Sequence, residues 1–268
     1  MKSKDEEMRN QYGYGAFCAW ERNHIGAVRQ ALYSIADAIE QHHTKKYGEV
    51  CISIIMFKDE LIRRAIIHDN DKFANLDMFS GYVNSSKRWE ELGGPDLEYG
   101  TDEWKPRNDR ANRGLNSSRR HVHSNDHHRE YFKEETEMTI FPLIEMVCDW
   151  YGVSARYNDG SPDMAKFEES LDTNKCNFPN HYQRFVIDKV YGFLAKREFE
   201  IINQISEVCK CYDKDESDVR KSDPVLSHLD WDVTQFLTAR KQLYNTTLET
   251  SAMLAARTPT QLNFSKSE

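Results

Sequence analysis

The chain has 268 residues, a formal net charge of -8, and 39% hydrophobic against 30% charged residues, a length and balance that suit one large domain with a substantial core. The acidic excess argues against a partner such as duplex nucleic acid, whose affinity rests on neutralised phosphates, although a local basic patch could still grip a small anionic substrate. No apolar run approaches the roughly 20 residues that span a bilayer, and the charged start Met1–Glu7 lacks a signal peptide's apolar core, so no membrane partner and a cytoplasmic location, host cytoplasm or otherwise, are expected.

Residues 1–15 are charged and then rich in Gly and Tyr, the composition of a loosely packed start. From Ala16 to Gln41 the periodicity predicts a helix, with Phe17, Trp20, Ile25, Val28, Ala31, Leu32, Ile35 and Ile39 at steps of three and four. His24 lies near the start of that face and by itself reads as a core-edge histidine. The run His42-His43-Thr44-Lys45-Lys46 reads as a polar helix end or loop with solvated histidines. A second helix is expected over 48–67, with Val50, Ile52, Ile54, Ile55, Phe57, Leu61, Ile62, Ala65 and Ile66 as its buried stripe. Its β-branched content admits a strand at 50–57, but the length and Lys58-Asp59-Glu60 favour helix. His68 and Asp69 close that segment.

A short helix over 74–92 carries Met78, Phe79, Tyr82 and Trp89. Residues 93–118 are rich in Gly, Asn, Arg and Asp and predict a long polar insertion loop, a length usually functional or disordered. Arg107, Arg110 and Arg113, with Arg119 and Arg120 following, make it either a solvated insertion or a lid whose guanidinium groups bind phosphate. His121, His123, His127 and His128 then fall within eight residues. If that stretch is helical, His121, Asn125 and His128 share one face.

A further helix starts near Ile140, with Pro142 in its first turn. Glu145 and Asp149, four apart, share a face among apolar residues, and a buried carboxylate needs a cation, a metal or several donors. Residues 157–180 read as loop around a short amphipathic turn, 181–212 as one helix, 213–224 as a flexible connection and 225–255 as a last, largely helical segment. His228 and Asp230 there read as structural, and the tail after Arg257 as disordered. Cys18, Cys51, Cys148, Cys176, Cys209 and Cys211 form no paired zinc-type spacing and are expected to be reduced.

His24, His68-Asp69, His121 with His127 or His128, and Asp149 could meet in the core of a helical bundle. Imidazole suits zinc, iron, nickel or cobalt, and carboxylates also admit manganese and magnesium. With Asp69 able to bridge, such a set is enough for two metals, which can clamp the attacking and leaving oxygens of a displacement at phosphorus.

The order H…HD…H…H…D resembles the HD-domain metal-dependent phosphohydrolase superfamily. Three segments, His68-Asp69-x-x-Lys72-Phe73, His121-x-x-x-Asn125-x-His127-His128 and Glu145-Met146-x-x-Asp149-Trp150, resemble an uncharacterised phage and bacterial HD-like family over roughly residues 20–195. The resemblance implies an all-α, HD-domain-like bundle over 1–212; the Arg-rich insertion at 93–118 and a C-terminal helical extension over 213–268, expected to pack on the bundle, depart from the superfamily's pattern. It implies one or two divalent metal ions (Mn, Fe, Co, Zn or Mg). The first would take His24, His68, Asp69 and Asp149. The second would take Asp69 as a bridge, His121, and one of His127 or His128. It makes Lys72, Asp69 and Glu145 catalytic candidates: Lys72 to neutralise a substrate phosphate or position water, Glu145 as a partner to a ligating histidine. Arg107, Arg110, Arg113 and Arg120 are the substrate-binding candidates. The implied function is hydrolysis of a nucleotide or other small phosphate ester through a metal-activated water, with an oligomer permitted. The alternatives are a di-iron HD-type oxygenase and a non-catalytic, metal-stapled nucleotide- or protein-binding module.

Overall fold

The structure, a computed structural model, describes residues 4–213 and 224–257, apart from 75, 98–100, 114, 135–136, 157 and 176. Cys176, most of the expected flexible connection and the tail after Arg257 lie outside the described residues, as does the side chain of Asp230. Among the described residues the fold is all-α. Its helices are α1 (Lys4–Tyr47), α2 (Ile52–Ile67), α3 (Asp71–Ala74), α4 (Leu76–Glu91), α5 (Trp104–Asn112) and α6 (Ser117–Ser124), then α7 (Ile140–Ala155), α8 (Met164–Lys175), α9 (His181–Tyr191), α10 (Glu200–Asp213) and α11 (Pro224–Arg257). No helix among them is long and apolar enough to cross a membrane, and the five described cysteines are free thiols.

The core forms around α1 and α7. Val28, Leu32, Ile35 and Ile39 of α1 are fully buried, and α1 packs on α2, α4, α7 and α10. On α7 every residue from Ile140 to Cys148 is buried, the pattern of a helix enclosed on all sides. Leu229, Val233 and Leu237, at four-residue steps on α11, enter the same core.

Several elements depart from their sequence expectation. The loosely packed start is helical from Lys4, and Phe17 joins it to α4 by stacking on Tyr82 and meeting Phe79 edge-on. The polar end at 42–46 is the last part of the same helix, and His43 is buried there against Ser206 Oγ at 2.9 Å. The stripe expected on α2 is rotated: Ile54, Phe57, Leu61 and Ala65 are buried with Glu60 and Arg64, while Ile52, Ile55 and Ile66 are exposed.

The insertion at 93–118 is not one loop. It holds α5, because Trp104 packs edge-on against Trp89 at 5.8 Å and Ala111 is buried, and Pro106 is tolerated in the first turn. The loop expected at 157–180 holds α8, anchored by buried Phe167 and Leu171. The single helix expected over 181–212 is two, separated by a π-turn at Gly192–Lys196 and by Arg197 at φ 59°.

Two backbone features position the site. The chain leaves α2 through His68 and then Asp69, whose φ is 58°. Asp is among the few non-glycine residues that tolerate the left-handed region, and this reversal turns both side chains inward, each 1% exposed. The second feature is Gly152 on α7, where α1 comes closest. A Cβ there would lie 2.4 Å from Val28 Cγ2, and 2.9 Å from both the backbone oxygen and Nδ1 of His24. Gly152→Ala is therefore expected to overpack the α1–α7 contact by about 1–3 kcal/mol and to displace His24, measurable as a lower urea midpoint with an unchanged m-value.

Candidate metal centre

α1 contributes His24, the end of α2 contributes His68 and Asp69, and α7 contributes Asp149. His24 Nε2 lies 3.0 Å from Asp69 Oδ2 and 3.1 Å from Asp149 Oδ1. His68 Nε2 lies 3.5 Å from the same Asp149 oxygen and 3.6 Å from Asp69 Oδ2. One ligand atom from each of these four residues falls within 4.8 Å of the others.

A second set meets the other oxygen of Asp69. His121, on the last turn of α6, places Nε2 3.2 Å from Asp69 Oδ1, and His127 places Nε2 3.6 Å from it. His128 Nε2 lies 2.9 Å from His121 Nε2. His127 and His128 both converge with His121. The shared helical face expected for His121, Asn125 and His128 does not exist, since α6 ends at Ser124 and the pair sits on the turn beyond. His123 points away, donating from Nδ1 to the Glu130 carbonyl.

Carboxylates behind the rings decide which nitrogen faces inward. Glu145 Oε1 accepts from Nδ1 of His68 at 2.9 Å and lies 3.3 Å from Nδ1 of His127. Its other oxygen takes the Arg64 guanidinium at 2.6 Å. Asp71 accepts from His121 Nδ1 at 2.9 Å and from Asn125 Nδ2 at 3.0 Å. With the proton held on Nδ1, each Nε2 presents a lone pair.

These residues fit divalent cations. His24 Nε2 and His68 Nε2 face each other at 3.3 Å, as His121 and His128 do at 2.9 Å. Two ring nitrogens at that distance need a proton or a cation between them. Asp69 Oδ1 and His127 Nε2, both buried, make no hydrogen bond, and an unmatched buried polar atom is costly. The donors are nitrogen and oxygen, suited to Mn, Fe, Co, Zn or, with fewer imidazoles, Mg.

The electrostatics keep the carboxylates ionised. Burial would raise the Asp69 carboxyl, but the Lys72 ammonium and His68 beside it hold it well below the usual range. Burial likewise opposes ionisation of Asp149, and hydrogen bonds from His24 and His68 outweigh it. Without a metal, burial is overcome by the facing carboxylates, so that His68 is pushed up to about 10 and His127 to about 9. Burial and the neighbouring His127 charge push His128 down to about 3.

Lys72 occupies a different place from the one expected. Its ammonium, 5% exposed, donates to Asp69 Oδ2 at 2.6 Å and to Glu21 Oε2 at 2.8 Å, and lies 5.5 Å above the Tyr82 ring. Glu21 is held in turn by Arg156 at 2.7 Å. Lys72 is thus a buried counter-ion to Asp69. Arg107 donates to the Leu92 carbonyl at 3.0 Å, while Arg110 and Arg113 are exposed. Arg120 lines a cavity of about 450 Å³ with Asp71, Met78 and His123. His228 stacks near Tyr182, with centroids 5.6 Å apart.

Arg64, Asp71 and Glu21 were not identified from the sequence. Arg64 lies one helical turn before His68, so helical spacing carried a signal for it, whereas Asp71, two residues past Asp69, shares no helical face with it. Glu21 looks like any polar residue of a long helix. Glu145→Gln removes the anion that receives two imidazole N–H groups and Arg64. It is expected to weaken metal binding about 10–100-fold, checked by competition with a chromophoric chelator.

A protein-family model described as "Family of unknown function (DUF5662)" matches residues 21–206, which span every residue of both ligand sets. No curated protein and no solved structure matches the chain.

Proposed function

We propose that this chain, which belongs to the DUF5662 family, is a metal-dependent phosphohydrolase acting on a nucleotide or another small phosphate ester. The observation that carries the reading is one buried carboxylate, Asp69, whose two oxygens face two separate groups of ligands. Divalent cations at two adjacent positions polarise a phosphoryl oxygen, activate water and clamp the entering and leaving oxygens of an in-line displacement. The ligand order H…HD…H…H…D, which resembles that of HD-domain metal-dependent phosphohydrolases, supports the same reading.

In this reading Asp69 joins the two positions, and Lys72 balances its charge without touching substrate. His24, His68 and Asp149 complete one position, and His121, His127 and His128 complete the other. Glu145 holds two of the imidazoles in the ligating tautomer. Arg120, which lines a cavity with Asp71 and Met78, supplies a guanidinium for the outer phosphates of a nucleotide. Arg120→Ala is expected to raise KM with little change in kcat.

The test is phosphate release from a panel of nucleotides and phosphate monoesters, using metal-depleted protein reloaded with Mn²⁺, Fe²⁺, Co²⁺, Zn²⁺ or Mg²⁺. Metal-loaded protein that turns over none of them would sink the reading. One observation favours a second reading, a di-iron oxygenase: the Lys72 ammonium is committed to Asp69 and Glu21, so it does not mark the site for phosphate. Iron-dependent dioxygen consumption by anaerobically reloaded protein would select that alternative.

A further inference from the structure

The two ligand groups are built differently. His24 and Asp149 stand on α1 and α7, which pack against each other in the core, and His68 caps α2 on the same core. His127 and His128 stand on the short turn that follows α6. Asn125 Nδ2 donates to Asp71 Oδ2 at 3.0 Å and to the His121 carbonyl at 2.9 Å. His127 of the turn also lies 3.3 Å by its Nδ1 from Glu145 Oε1 on α7, and Asp126 ties the turn to α2 by taking Arg64 in a forked pair, Nη1 to Oδ1 at 3.0 Å and Nη2 to Oδ2 at 2.7 Å.

Arg64 is 7% exposed and sits one helical turn before His68. Its remaining donors go to Glu60 at 3.2 Å and to Glu145 at 2.6 Å. A planar guanidinium can satisfy a forked carboxylate and two further acceptors together, which an ammonium cannot. Asp126 is the outermost member of this group, with its side chain 38% exposed, and it lines a cavity together with Arg63, Ser124 and Tyr131.

We infer that the Arg64–Asp126 pair is a clasp that assembles the second metal position, by holding the turn that carries His127 and His128 against α2. The first position stands without Asp126 and meets the pair through Glu145, which takes Arg64 on one oxygen and His68 on the other. Arg64 and Asp126 are positioning residues, since both act through the histidines. The inference rests on the two-position reading of the site and is independent of the reaction catalysed there. It makes the two positions unequal: one preformed in packed helices, the other completed when a turn docks.

The test uses metal-depleted full-length chain titrated with Mn²⁺, with free Mn²⁺ followed by electron paramagnetic resonance. The wild type is expected to bind two Mn²⁺ per chain. In Asp126→Ala the first step should stay within about threefold of wild type, while the second weakens about 10–100-fold. Arg64→Lys, which keeps the charge and loses the fork, should weaken the second step more than the first. Equal changes in both steps, no change in either, or a wild type that binds fewer than two ions would overturn the inference. Asp126→Asn is measured in parallel, and loss of far-ultraviolet circular dichroism in both Asp126 variants would equally overturn it, because the pair would then hold the fold and not the turn. Two bound Mn²⁺ without turnover of any phosphate ester would remove the phosphohydrolase reading and leave this inference in place.

Discussion

Asp69→Asn is expected to lower kcat by about 10³-fold or more, the scale of several kcal/mol of lost transition-state stabilisation, and to leave the fold intact. The substitution is isosteric, and Asn tolerates the left-handed backbone that residue 69 adopts at φ 58°. What changes is charge. Asp69 supplies Oδ2 to the His24, His68 and Asp149 group and Oδ1 to the His121 and His127 group. It also balances Lys72, which Glu21 would then hold alone. Both metal positions should therefore weaken together, unlike the unequal loss expected from Asp126→Ala. The measurements are phosphate release, metal content after gel filtration, and circular dichroism. An Asp69→Asn protein with wild-type metal content and activity would remove Asp69 as the bridge. Asp69→Ala serves as a contrast, because alanine adds a backbone penalty of about 1–2 kcal/mol in the left-handed region.

The second large effect is on stability. Chelation is expected to lower Tm by roughly 5–10 °C, and resupply of metal to restore it. A ligand at about 100 times its Kd adds about 2.7 kcal/mol, and roughly 2–4 °C follows from each kcal/mol in a chain somewhat smaller than this one. The structural reason is that, without a cation, Asp69 Oδ1 and His127 Nε2 are buried with no hydrogen-bond partner. The pH dependence has a definite sign. In the metal-free protein His68 and His127 are pushed up to about 10 and about 9, so at pH 7 both rings carry the extra proton. Ligation through Nε2 requires that proton to leave. Metal affinity should therefore rise with pH between about 6 and 9, and binding at pH 7 should release protons, read as a dependence of the calorimetric heat on the buffer's ionisation enthalpy. A Tm indifferent to chelator and metal would show that these groups are matched by protons alone.

The part of the fold that was legible in the sequence is the part governed by apolar period. Val28, Leu32, Ile35 and Ile39 on α1 recur at helical steps because one face must leave water, and the enclosed run of α7 is almost entirely apolar. Polar stretches misled. Residues 104–112 have no apolar stripe, yet they form α5, because Trp104 finds Trp89 and Ala111 finds a buried niche. His43 is polar by composition and buried by Ser206. The break after Gly192 was foreshadowed by that glycine, where a Cβ would meet the Glu198 carboxylate at 2.6 Å.

The same division holds at the site. Residue types and order were enough to nominate His24, His68, Asp69, His121, His127, His128 and Asp149, because clustered imidazoles and an apolar-flanked carboxylate are unusual in any chain. Which atom each residue presents was invisible. Helix packing sets Glu145 behind two imidazoles and Asp71 behind a third, so that Nε2 faces inward. It also sets Glu21 across from Lys72, which turns a candidate substrate group into a counter-ion.

By itself, then, the sequence determined helices over 16–41 and from Ile140 and the identity of the candidate ligands, since these follow from local period and side-chain chemistry, and the resemblance added the all-α class. Only the tertiary structure decided that both oxygens of Asp69 are used, that His127 and His128 both point inward, and that Arg64 reaches Asp126 from 62 residues away. Those outcomes depend on distances between helices remote in the chain, and such distances are set by how the core packs, not by the spacing of residues along it.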